Sequence, residues 1–543
     1  MSKLWYKNAV IYSVDVAKFL DSDGNGVGDF NGLKHRLPYL VSLGINCIWL
    51  LPFYDSPNLD NGYDVRNFYQ IDSRVGDFGT FVEFVDAAAE MGIRILVDLV
   101  ANHTSTEHPW FQEARNGKSS KYYDYYIWSK KKPKKPNDEV MFGKEQGNSN
   151  WKYDQKTKAY FYHTFYGHQP DLNMTNPAVQ KEIMRIMHFW LKLGIAGFRI
   201  DAAEHIIREK GGKKFQNDPH EVFRTFHKFV ENHRKDAILL AEVDTEPEKY
   251  QSFFGKEDQM YMLFNFYLNN YTWLALAEKS PKPLIKALKK LPKFSKKEQM
   301  AVFLRNHDEL TLERLTDKER QKVFTEFAPE ENMRIYGRGI RRRAAPMLKN
   351  QREQMELAYS LMFTLPGTPV LRYGQEIGMG DDLSLKERNS VRTVMQWSDS
   401  KNAGFTDAQT LNKEYSLISE GEFGYTKTNV NDQKRDSNSL LNWTIRAANI
   451  RKECPEFGWG KYHLLETNSK DVLAIHYETD EGMAVALHNF SEEKQTVQIH
   501  LKNTENLLDV FGNKKYKKFD QKKQILELSA YGYRWLRKIN AMV

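Results

Sequence analysis

Ionisable side chains follow four short apolar runs of the sequence. These runs continue into VDLVANH, GFRID, LLAEV and FLRNHDE, which supply Asp98, His103, Arg199, Asp201, Glu242, His307 and Asp308. One carboxylate in such a position is usually a helix cap or an ion-pair partner. Carboxylates after several separate runs, together with an arginine and two histidines, indicate a catalytic site instead. Glycoside hydrolysis needs this equipment, because one carboxyl group protonates the leaving oxygen while a second attacks the anomeric carbon.

Two of these carboxylates have surroundings that favour opposite protonation states. Arg199 precedes Asp201 by two residues, and strand alternation places both on the same face. The arginine would favour the ionised form of Asp201. Glu242 follows the apolar segment LLA, where it could keep its proton near neutral pH. We therefore expect an ionised Asp201 beside a protonated Glu242.

Short apolar runs alternate with helical patterns along most of the chain. The runs that read as strands are AVIYSV, INCIWLL, RILVDLV, AGFRID, AILLAEV, MYMLFNF, MAVFLRN and PVLRYG. Apolar strands separated by helices are typical of a parallel sheet that is buried on both faces, and eight of them predict an α/β fold with a closed (β/α)8 TIM barrel. Side chains at the carboxyl ends of such strands face the catalytic mouth, so the ionisable residues should meet there.

Two intervals and the C-terminal part depart from a plain barrel. Residues 104–175 are rich in Tyr, Lys, Asn and Gly, which predicts a subdomain inserted after the third strand. A second long connection runs from Glu309 to Lys349. After residue 455 the pattern alternates, as in VLAIHYE and GMAVALHNF, which indicates an antiparallel β domain. The predicted units are a catalytic barrel over 1–103 and 176–455, the subdomain over 104–175 and a C-terminal β domain over 456–543.

The segments VDLVANH, GFRIDAAEH, LLAEV and FLRNHDE resemble the conserved regions of the α-amylase family of retaining glycoside hydrolases. The resemblance covers nearly the whole chain and implies the same barrel, inserted subdomain and C-terminal β domain. It also implies that Asp201 is the nucleophile, that Glu242 is the general acid/base, and that Asp308 grips the ring hydroxyls of a distorted sugar. The residues that it places around the same sugar are His103, Arg199 and His307.

Further segments resemble the members of that family that act on short oligosaccharides. DNGYDV places Asp60 and Tyr63 where relatives hold the non-reducing glucose, and Arg392 in VRTVMQW resembles a residue that contacts the same sugar. QPDLN, at residues 169–173, is similar to the signature of this subgroup. Ala202, directly after the nucleophile, resembles relatives that prefer α-(1→4) links. The resemblance therefore implies a pocket closed at one end and a substrate such as maltose.

Five segments resemble the trehalose synthase branch of the family, namely LRNHDELTLE, GIRRRAAPML, LPGTPVL, GQEIGMGDDLSL and NAGFT. This resemblance implies isomerisation of maltose to trehalose through a covalent glucosyl-enzyme. The connection bearing Arg338 and residues 341–343 could then cap the pocket against water, although a solvated basic helix start would look the same. The sequence departs from that branch at VDTEPE, at FNFYLNN and at Val394. Plain hydrolysis by an α-glucosidase therefore stays open, as does, more remotely, a non-catalytic accessory protein on the same fold.

Oxygen ligands crowd into the segment DSDGNGVGD near the N-terminus. Hard cations such as Ca2+ prefer such ligands, although an ordinary loop of Asx turns would look similar. Family resemblance also implies calcium here. The residues of this predicted first site are Asp21, Asp23, Asn25, Val27 and Asp29. Resemblance further implies a weaker second site at Asn102, Asp171 and the backbone of His205, so we expect structural Ca2+ and no organic cofactor.

Composition argues against several other classes of protein. The net charge is +8 over 543 residues, and the five lysines between residues 130 and 135 are typical of a solvated loop, so we expect no nucleic-acid partner. No stretch approaches the roughly 18 apolar residues of a membrane helix, and the start lacks a secretory signal pattern. Cys47 and Cys454 fit a reducing, cytoplasmic setting. The expected partner is a small α-glucoside, and the oligomeric state stays open.

Overall fold

The computed structural model of the chain describes residues 4–133, 140–142, 148–412, 415–502 and 504–539. Two lysines of the predicted basic loop, Lys134 and Lys135, lie outside the described residues. Within the described ranges, no helix is both long enough and apolar enough to cross a membrane. Cys47 and Cys454 are buried and form no disulfide.

Eight parallel strands close into one barrel, as the sequence predicts. They are β1 (Ile11–Val14), β2 (Cys47–Leu50), β3 (Arg94–Leu99), β4 (Gly197–Ile200), β5 (Ile238–Ala241), β6 (Met262–Phe264), β7 (Gln299–Phe303) and β8 (Thr368–Arg372). Each strand pairs with its neighbour in sequence, and β8 closes the barrel on β1, where Ile11 is paired with Val370. The strands are apolar because one face fills the barrel and the other packs under helices. The predicted (β/α)8 fold is confirmed.

Helices surround the barrel and connect its strands. Those between or after the strands are Phe30–His35, Leu37–Ser42, Phe78–Glu90, Pro177–Lys192, Ala203–Ile206, Glu221–His233, Tyr250–Phe254, Phe266–Ala277, Lys282–Lys290, Arg352–Thr364, Val430–Arg435 and Leu440–Glu453. Helix Pro177–Lys192 shows why such segments are helical. The Asn176 side chain accepts a hydrogen bond from the backbone N–H of Ala178, and Pro177 occupies the first helical position. Ile183, Met187 and Trp190 recur at helical spacing and are buried.

The interval 104–175 carries secondary structure of its own. It contains helix Pro109–Ala114 and a three-stranded antiparallel sheet of Trp128–Ser129, Ala159–Tyr162 and Trp151–Asp154. An antiparallel bridge joins His103 to Asp171, so the start and the end of the interval lie together beside the mouth of the barrel. The domain boundaries drawn from the sequence stay predictions.

The connection from β7 to helix Arg352–Thr364 is also structured. Its elements are strands Leu310–Thr311, Arg334–Ile335 and Gly339–Ile340 and helices Asp317–Phe327 and Ala344–Met347. Helix Asp317–Phe327 begins with a capping box, in which the side chain of Thr316 binds the N–H of Glu319 and the Glu319 side chain binds back. This connection therefore forms a folded rim over one side of the barrel mouth.

The C-terminal part forms an antiparallel sheet of five strands. In sheet order they are Lys461–Leu464, Val472–Glu478, Gly482–Asn489, Tyr533–Ile539 and Leu508–Gly512, and a separate pair joins Gln495–Gln498 to Ile525–Leu528. Val485, Leu487 and Leu536 lie in a cluster of buried side chains between these sheets. The antiparallel domain predicted from the alternating pattern is present.

Candidate active site

A pocket opens at the C-terminal ends of the barrel strands. It encloses about 870 Å³ of atom-free space, including its open mouth. The predicted catalytic and sugar-binding residues that line it are Asp60, Tyr63, His103, Asp201, Glu242 and Asp308. Residues far apart in the sequence thus converge on one pocket because the carboxyl ends of parallel barrel strands share one end of the barrel.

The guanidinium group of Arg199 lies directly behind the wall of this pocket. Its Nη1 atom is 2.8 Å from Oδ1 of Asp98 and 2.7 Å from Oδ1 of Asp201, and its Nη2 atom is 2.8 Å from Oε2 of Glu242. Arg199 and Asp98 are buried, and the indole N–H of Trp49 also donates to Asp98. One arginine therefore holds the carboxylates from the ends of three adjacent strands.

The turn after Asp201 aims a backbone donor at Glu242. Ala202 adopts the left-handed conformation, with φ of 45° and ψ of 44°, which is uncommon for a residue with a side chain. In this conformation its N–H donates to Oε2 of Glu242 at 3.0 Å, and the N–H of Ala203 donates to the Glu242 carbonyl at 3.0 Å. The strained turn thus fixes the carboxyl group of Glu242 beside Asp201.

The protonation of these two carboxyl groups differs from the sequence-based expectation. Burial raises the pKa of Asp201 to about 7, and Arg199 only partly opposes this. Burial likewise raises the pKa of Glu242 to about 7, again against the charge of Arg199. We expected Arg199 to favour the ionised form of Asp201 alone, but the guanidinium contacts both residues. The structure therefore does not separate the two pKa values.

Asp308 is held by basic groups. Its Oδ1 atom lies 2.6 Å from Nη2 of Arg392 and 2.8 Å from Nη1 of Arg388, and its Oδ2 atom lies 3.0 Å from Nε2 of His307. Burial by itself would raise the pKa of Asp308, but these neighbours hold it well below its usual range. Burial lowers the pKa of His307 to about 4, so at pH 7 the arginines supply the stabilising charge.

Three of the predicted sugar-binding residues lie behind the pocket wall instead of on it. The set is Arg199, His307 and Arg392. The imidazole of His307 stacks on the ring of Tyr63, with centroids 5.3 Å apart and planes at 7°. The phenol of Tyr63 in turn contacts Asp98 and His307, at 3.1 and 2.8 Å. These residues therefore position the groups that face the pocket.

Arg388 is a site residue that the sequence analysis missed. It lines the pocket, and its Nη2 atom is 2.7 Å from Oδ1 of Asp60 while its Nη1 atom contacts Asp308. Asp60 also accepts a hydrogen bond from the side chain of Gln169 at 3.0 Å. The only sequence feature that could have indicated Arg388 is its position four residues, or about one helical turn, before Arg392. The resulting Asp60–Arg388–Asp308 bridge closes the inner end of the pocket.

Aromatic rings pack beside Arg388. The ring of Phe142 lies 4.6 Å from that of Tyr166 and 4.9 Å from that of Tyr336, measured between centroids. The guanidinium of Arg388 lies 4.9 Å from the Phe142 ring. Tyr166 comes from the inserted interval and Tyr336 from the connection after β7. The two irregular segments therefore meet over the pocket.

Arg338 makes a second link across the mouth. Its Nη1 atom donates to the carbonyl of Met141 at 2.7 Å, and its Nε atom lies 2.5 Å from Glu313. Arg338, Met141 and Glu313 all line the pocket. Of the arginines predicted to cap the pocket, Arg338 is the one in its lining, and residues 341–343 lie outside it in the described structure.

The first predicted metal loop brings three carboxylates together. Oxygen atoms of Asp21, Asp23 and Asp29 lie within 4.8 Å of one another. Asp21 accepts hydrogen bonds from the N–H groups of Gly24 and Gly26, at 2.8 and 2.7 Å, so the loop is tightly wound around it. Burial and then the neighbouring carboxylates raise the pKa of Asp23. This crowding of oxygen atoms and negative charge fits a hard cation.

The second predicted metal position already holds a cationic group of the chain. Nζ of Lys210 lies 2.6 Å from Oδ2 of Asp171 and also donates to the side-chain oxygen of Asn102. All three side chains are buried. His205 lies at the pocket wall, with Nε2 3.6 Å from Glu204. Because Lys210 brings the positive charge that a metal would bring, these residues do not fit a second calcium ion, which corrects that prediction.

Known proteins resemble this chain over most of its length. Residues 13–460 match the model of the alpha-amylase catalytic domain, and residues 482–537 match that of the sucrose hydrolase-like C-terminal domain. A trehalose synthase/amylase of Mycobacterium tuberculosis is 39% identical, covering 98% of this chain and 90% of its own. An oligo-1,6-glucosidase of Bacillus cereus is 29% identical, and the match covers 91% of this chain and 92% of the glucosidase. The crystal structure of the alpha-amylase from H. orenii has a TM-score of 0.78 at 26% identity, and the match covers 98% of this chain and 99% of that amylase.

Replacing Lys210 should test whether its ammonium group holds the base of the inserted interval. Lys210→Ala leaves Asp171 buried without its cation, so we expect the free energy of unfolding to fall by about 3–5 kcal/mol. Lys213→Ala is the matched control, because Lys213 lies 3.7 Å from Asp124 in an exposed pair and should cost less than about 1 kcal/mol. Urea denaturation measures both, and equal losses would contradict the assignment.

Proposed function

Because the chain belongs to the α-amylase family, we propose that it is a retaining enzyme that isomerises maltose to trehalose. The observation that carries this proposal is the pair Asp201 and Glu242, which line one pocket and both contact the guanidinium of Arg199. Retaining glycosidases need two neighbouring carboxyl groups of this kind. The trehalose synthase/amylase of M. tuberculosis, similar over nearly the whole chain, supports the isomerisation.

In the first step, Glu242 protonates the oxygen that joins the two glucose units and Asp201 attacks C1 of the non-reducing unit. The bond from C1 to the glycosidic oxygen breaks, a bond from C1 to the Asp201 carboxylate forms, and glucose leaves with the proton. The pKa of Glu242, raised by burial to about 7, lets this group carry a proton at neutral pH. Arg199 stabilises the carboxylate of Asp201 until the new bond forms.

In the second step, the released glucose stays in the pocket and attacks with its own C1 hydroxyl. Glu242 takes the proton of that hydroxyl, the oxygen bonds to C1 of the glucosyl-enzyme, and Asp201 leaves as a carboxylate. Because the C1 hydroxyl is the attacking group, the product is the 1,1-linked disaccharide, and two displacements at the same carbon preserve the α configuration of the transferred glucose. Water in the place of glucose would give hydrolysis.

The inner end of the pocket fits a single terminal glucose. Arg388 joins Asp60 to Asp308 through one oxygen of each carboxylate. The second oxygens contact Gln169 and His307, and each keeps a further lone pair that can accept a sugar hydroxyl. Tyr63 offers a flat aromatic surface at this end of the pocket, held by its contacts to His307. We infer that this end holds the glucose that becomes attached to Asp201, so the enzyme acts on chain ends and short glucosides.

Plain hydrolysis is the second candidate function. It is favoured by the similarity to the B. cereus oligo-1,6-glucosidase. Isomerisation requires that water is kept out while the released glucose turns. The contacts of Arg338 with Met141 and of Phe142 with Tyr166 and Tyr336 narrow the route for water. These contacts and the similarity to the M. tuberculosis trehalose synthase/amylase are our reasons for preferring isomerisation.

We also propose that the loop of Asp21, Asp23 and Asp29 holds a structural Ca2+ ion. The carboxylate oxygens are close enough to share one cation, and Thr406 donates to Asp21 from the segment after β8. When bound, the ion would neutralise the crowded acids and fix this loop to the barrel. No step of the reaction depends on it.

Incubation with maltose, followed by NMR, tests the proposed reaction. We expect trehalose to appear well ahead of free glucose. Asp201→Asn should lower kcat by about four orders of magnitude or more while the melting temperature stays near that of the wild type, since the amide cannot act as nucleophile. The exposed Asp86→Asn is the control and should remain active. α-Glucose without trehalose would establish a hydrolase instead, and unchanged activity of Asp201→Asn would refute the mechanism.

Arg338→Ala tests whether the closed mouth protects the intermediate. Removing its bond to Met141 should admit water, so the ratio of glucose to trehalose should rise on the order of tenfold, equivalent to about 1.4 kcal/mol. Arg334→Ala is the matched control, because Arg334 binds the carbonyls of Ala328 and Pro329 outside the pocket. The same product ratio in the two variants would argue against a role for Arg338 in excluding water.

The calcium proposal is tested by chelation and readdition. After treatment with EDTA, CaCl2 should raise the melting temperature by several degrees, whereas MgCl2 at the same concentration should not, because Mg2+ keeps its waters. Asp23→Asn should weaken this response, and Asp86→Asn should preserve it. A melting temperature that changes with neither EDTA nor CaCl2 would contradict the proposal.

A further inference from the structure

A buried carboxylate lies inside the loop that carries Asp60. This loop, residues 56–66, connects the short antiparallel strands Tyr54–Asp55 and Asn67–Ile71. Asp64 in this loop is 0% exposed. Asp60 lines the pocket, whereas Asp64 is not part of the pocket wall in the described structure. The carboxylate of Asp64 therefore acts within the loop and not on a ligand.

The loop is wound around the carboxylate of Asp64. Its Oδ1 atom accepts hydrogen bonds from the N–H of Asp60 at 3.1 Å and from the hydroxyl of Ser56 at 3.0 Å. Its Oδ2 atom accepts a hydrogen bond from the N–H of Leu59 at 3.0 Å. The hydroxyl of Ser56 in turn accepts from the N–H of Asn58 at 2.9 Å. One side chain thus collects backbone donors that no strand or helix satisfies here.

Three residues of this loop adopt the left-handed backbone conformation. They are Asn58, Asn61 and Gly62, with φ of 60°, 49° and 89°. A side chain at Gly62 would also bring a Cβ atom to 2.6 Å from the carbonyl of Pro52. Asn and Gly tolerate this conformation best, yet it persists only where surrounding contacts hold it. The hydrogen bonds to Asp64 are contacts of this kind.

Asp60 is held at both ends by different parts of the chain. Its carboxylate contacts Arg388 at 2.7 Å and the side chain of Gln169 at 3.0 Å. These two contacts orient the side chain of Asp60 but do not fix its backbone. The N–H of Asp60 donates to Asp64, which fixes the point from which the side chain reaches into the pocket.

Asp64 is ionised at neutral pH although it is buried. Burial raises its pKa to about 6, and the N–H groups of Leu59 and Asp60 oppose this rise. Within the described ranges, no basic side chain forms an ion pair with Asp64. Replacing this carboxylate by an amide therefore removes a hydrogen-bond acceptor without leaving an unpaired cation behind.

We propose that Asp64 is a positioning residue for the terminal glucose. It fixes the backbone of Asp60, so that the carboxylate of Asp60 meets the sugar and Arg388 together. This inference rests on the proposed function, because it takes a terminal α-glucose as the ligand at the inner end of the pocket. A role limited to folding of the loop would lower stability and leave sugar binding unchanged. The two roles therefore differ in their effect on KM.

Asp64→Asn keeps the shape of the side chain, but its amide nitrogen donates where the N–H groups of Leu59 and Asp60 need an acceptor. We expect KM for p-nitrophenyl α-glucoside to rise about tenfold and kcat to change less than about threefold, because the lost contact serves substrate and transition state alike. This substrate releases nitrophenol, so the measurement is the same for an isomerase and for a hydrolase. An unchanged KM in the folded variant would overturn the proposal.

Asp72→Asn is the matched control. Asp72 is a second buried aspartate at the end of the same hairpin, and it forms an ion pair with Arg74 at 2.5 Å. Loss of this pair should lower the melting temperature, while KM stays within about twofold of the wild-type value. A similar rise of KM in both variants would contradict a specific role of Asp64.

A double variant tests whether Asp64 acts through Asp60. The KM of Asp60→Ala/Asp64→Asn should lie within about twofold of that of Asp60→Ala, because the second change then has no carboxylate left to misplace. Effects on KM that multiply in the double variant would overturn the proposal, since Asp64 would then act independently of Asp60.

Two further measurements keep the test decisive. Ser56→Ala removes one hydrogen bond to Asp64 and leaves the carboxylate, so it replaces Asp64→Asn if that variant does not fold. It should raise KM about threefold, and an unchanged KM would count against the proposal. If the wild type turns over no α-glucoside, the proposed function fails, but NMR titration with glucose still tests Asp64. The Kd for glucose should then be about tenfold higher in Asp64→Asn, and equal Kd values would refute the inference.

Discussion

The guanidinium group of Arg199 is the interaction on which the catalytic mouth depends. It lies 2.7 to 2.8 Å from the carboxylates of Asp98, Asp201 and Glu242. Asp98 and Asp201 are buried, Glu242 is half-buried, and the three carboxylates repel one another. A buried guanidinium alone is also costly, so the arginine and the carboxylates stabilise each other. Without Arg199, burial and mutual repulsion would favour the protonated form of Asp201, and a neutral carboxyl group is a poor nucleophile.

The barrel supplies the geometry that this arrangement needs. Asp98 of β3 is paired in register with Arg199 of β4, and Leu240 of β5 is paired with the same residue. Glu242 follows Leu240 by two positions, so strand alternation brings it to the same face. Ala202 then turns the chain in the left-handed conformation and donates its N–H to Glu242. Strand register and one strained turn therefore set the distances on which the proposed chemistry relies.

The sequence predicts the parts of this protein that depend on local pattern. Barrel strands are apolar runs followed by polar ends, so all eight strands and the positions of Asp201 and Glu242 could be predicted. Contacts between distant loops could not be predicted in this way. Lys210 reaches Asn102 across 108 positions, and Arg388 reaches Asp60 across 328. No periodic pattern in the sequence indicates such pairs, because they depend on how both loops fold. The shared contact of Arg199 with two carboxylates was missed for the same reason.

Two layers of charged side chains surround the pocket, and they hold the loop of Asp308 in different ways. Carboxylates face the substrate, and arginines stand behind them. Arg388 and Arg392 each contact Asp308. Their positive charge holds this carboxylate in place, and the carboxylate in turn offsets their charge. Arg305 and Arg372 support the same loop through its backbone carbonyls. The loop that carries Asp308 is therefore fixed both through its carboxylate and through its backbone carbonyls.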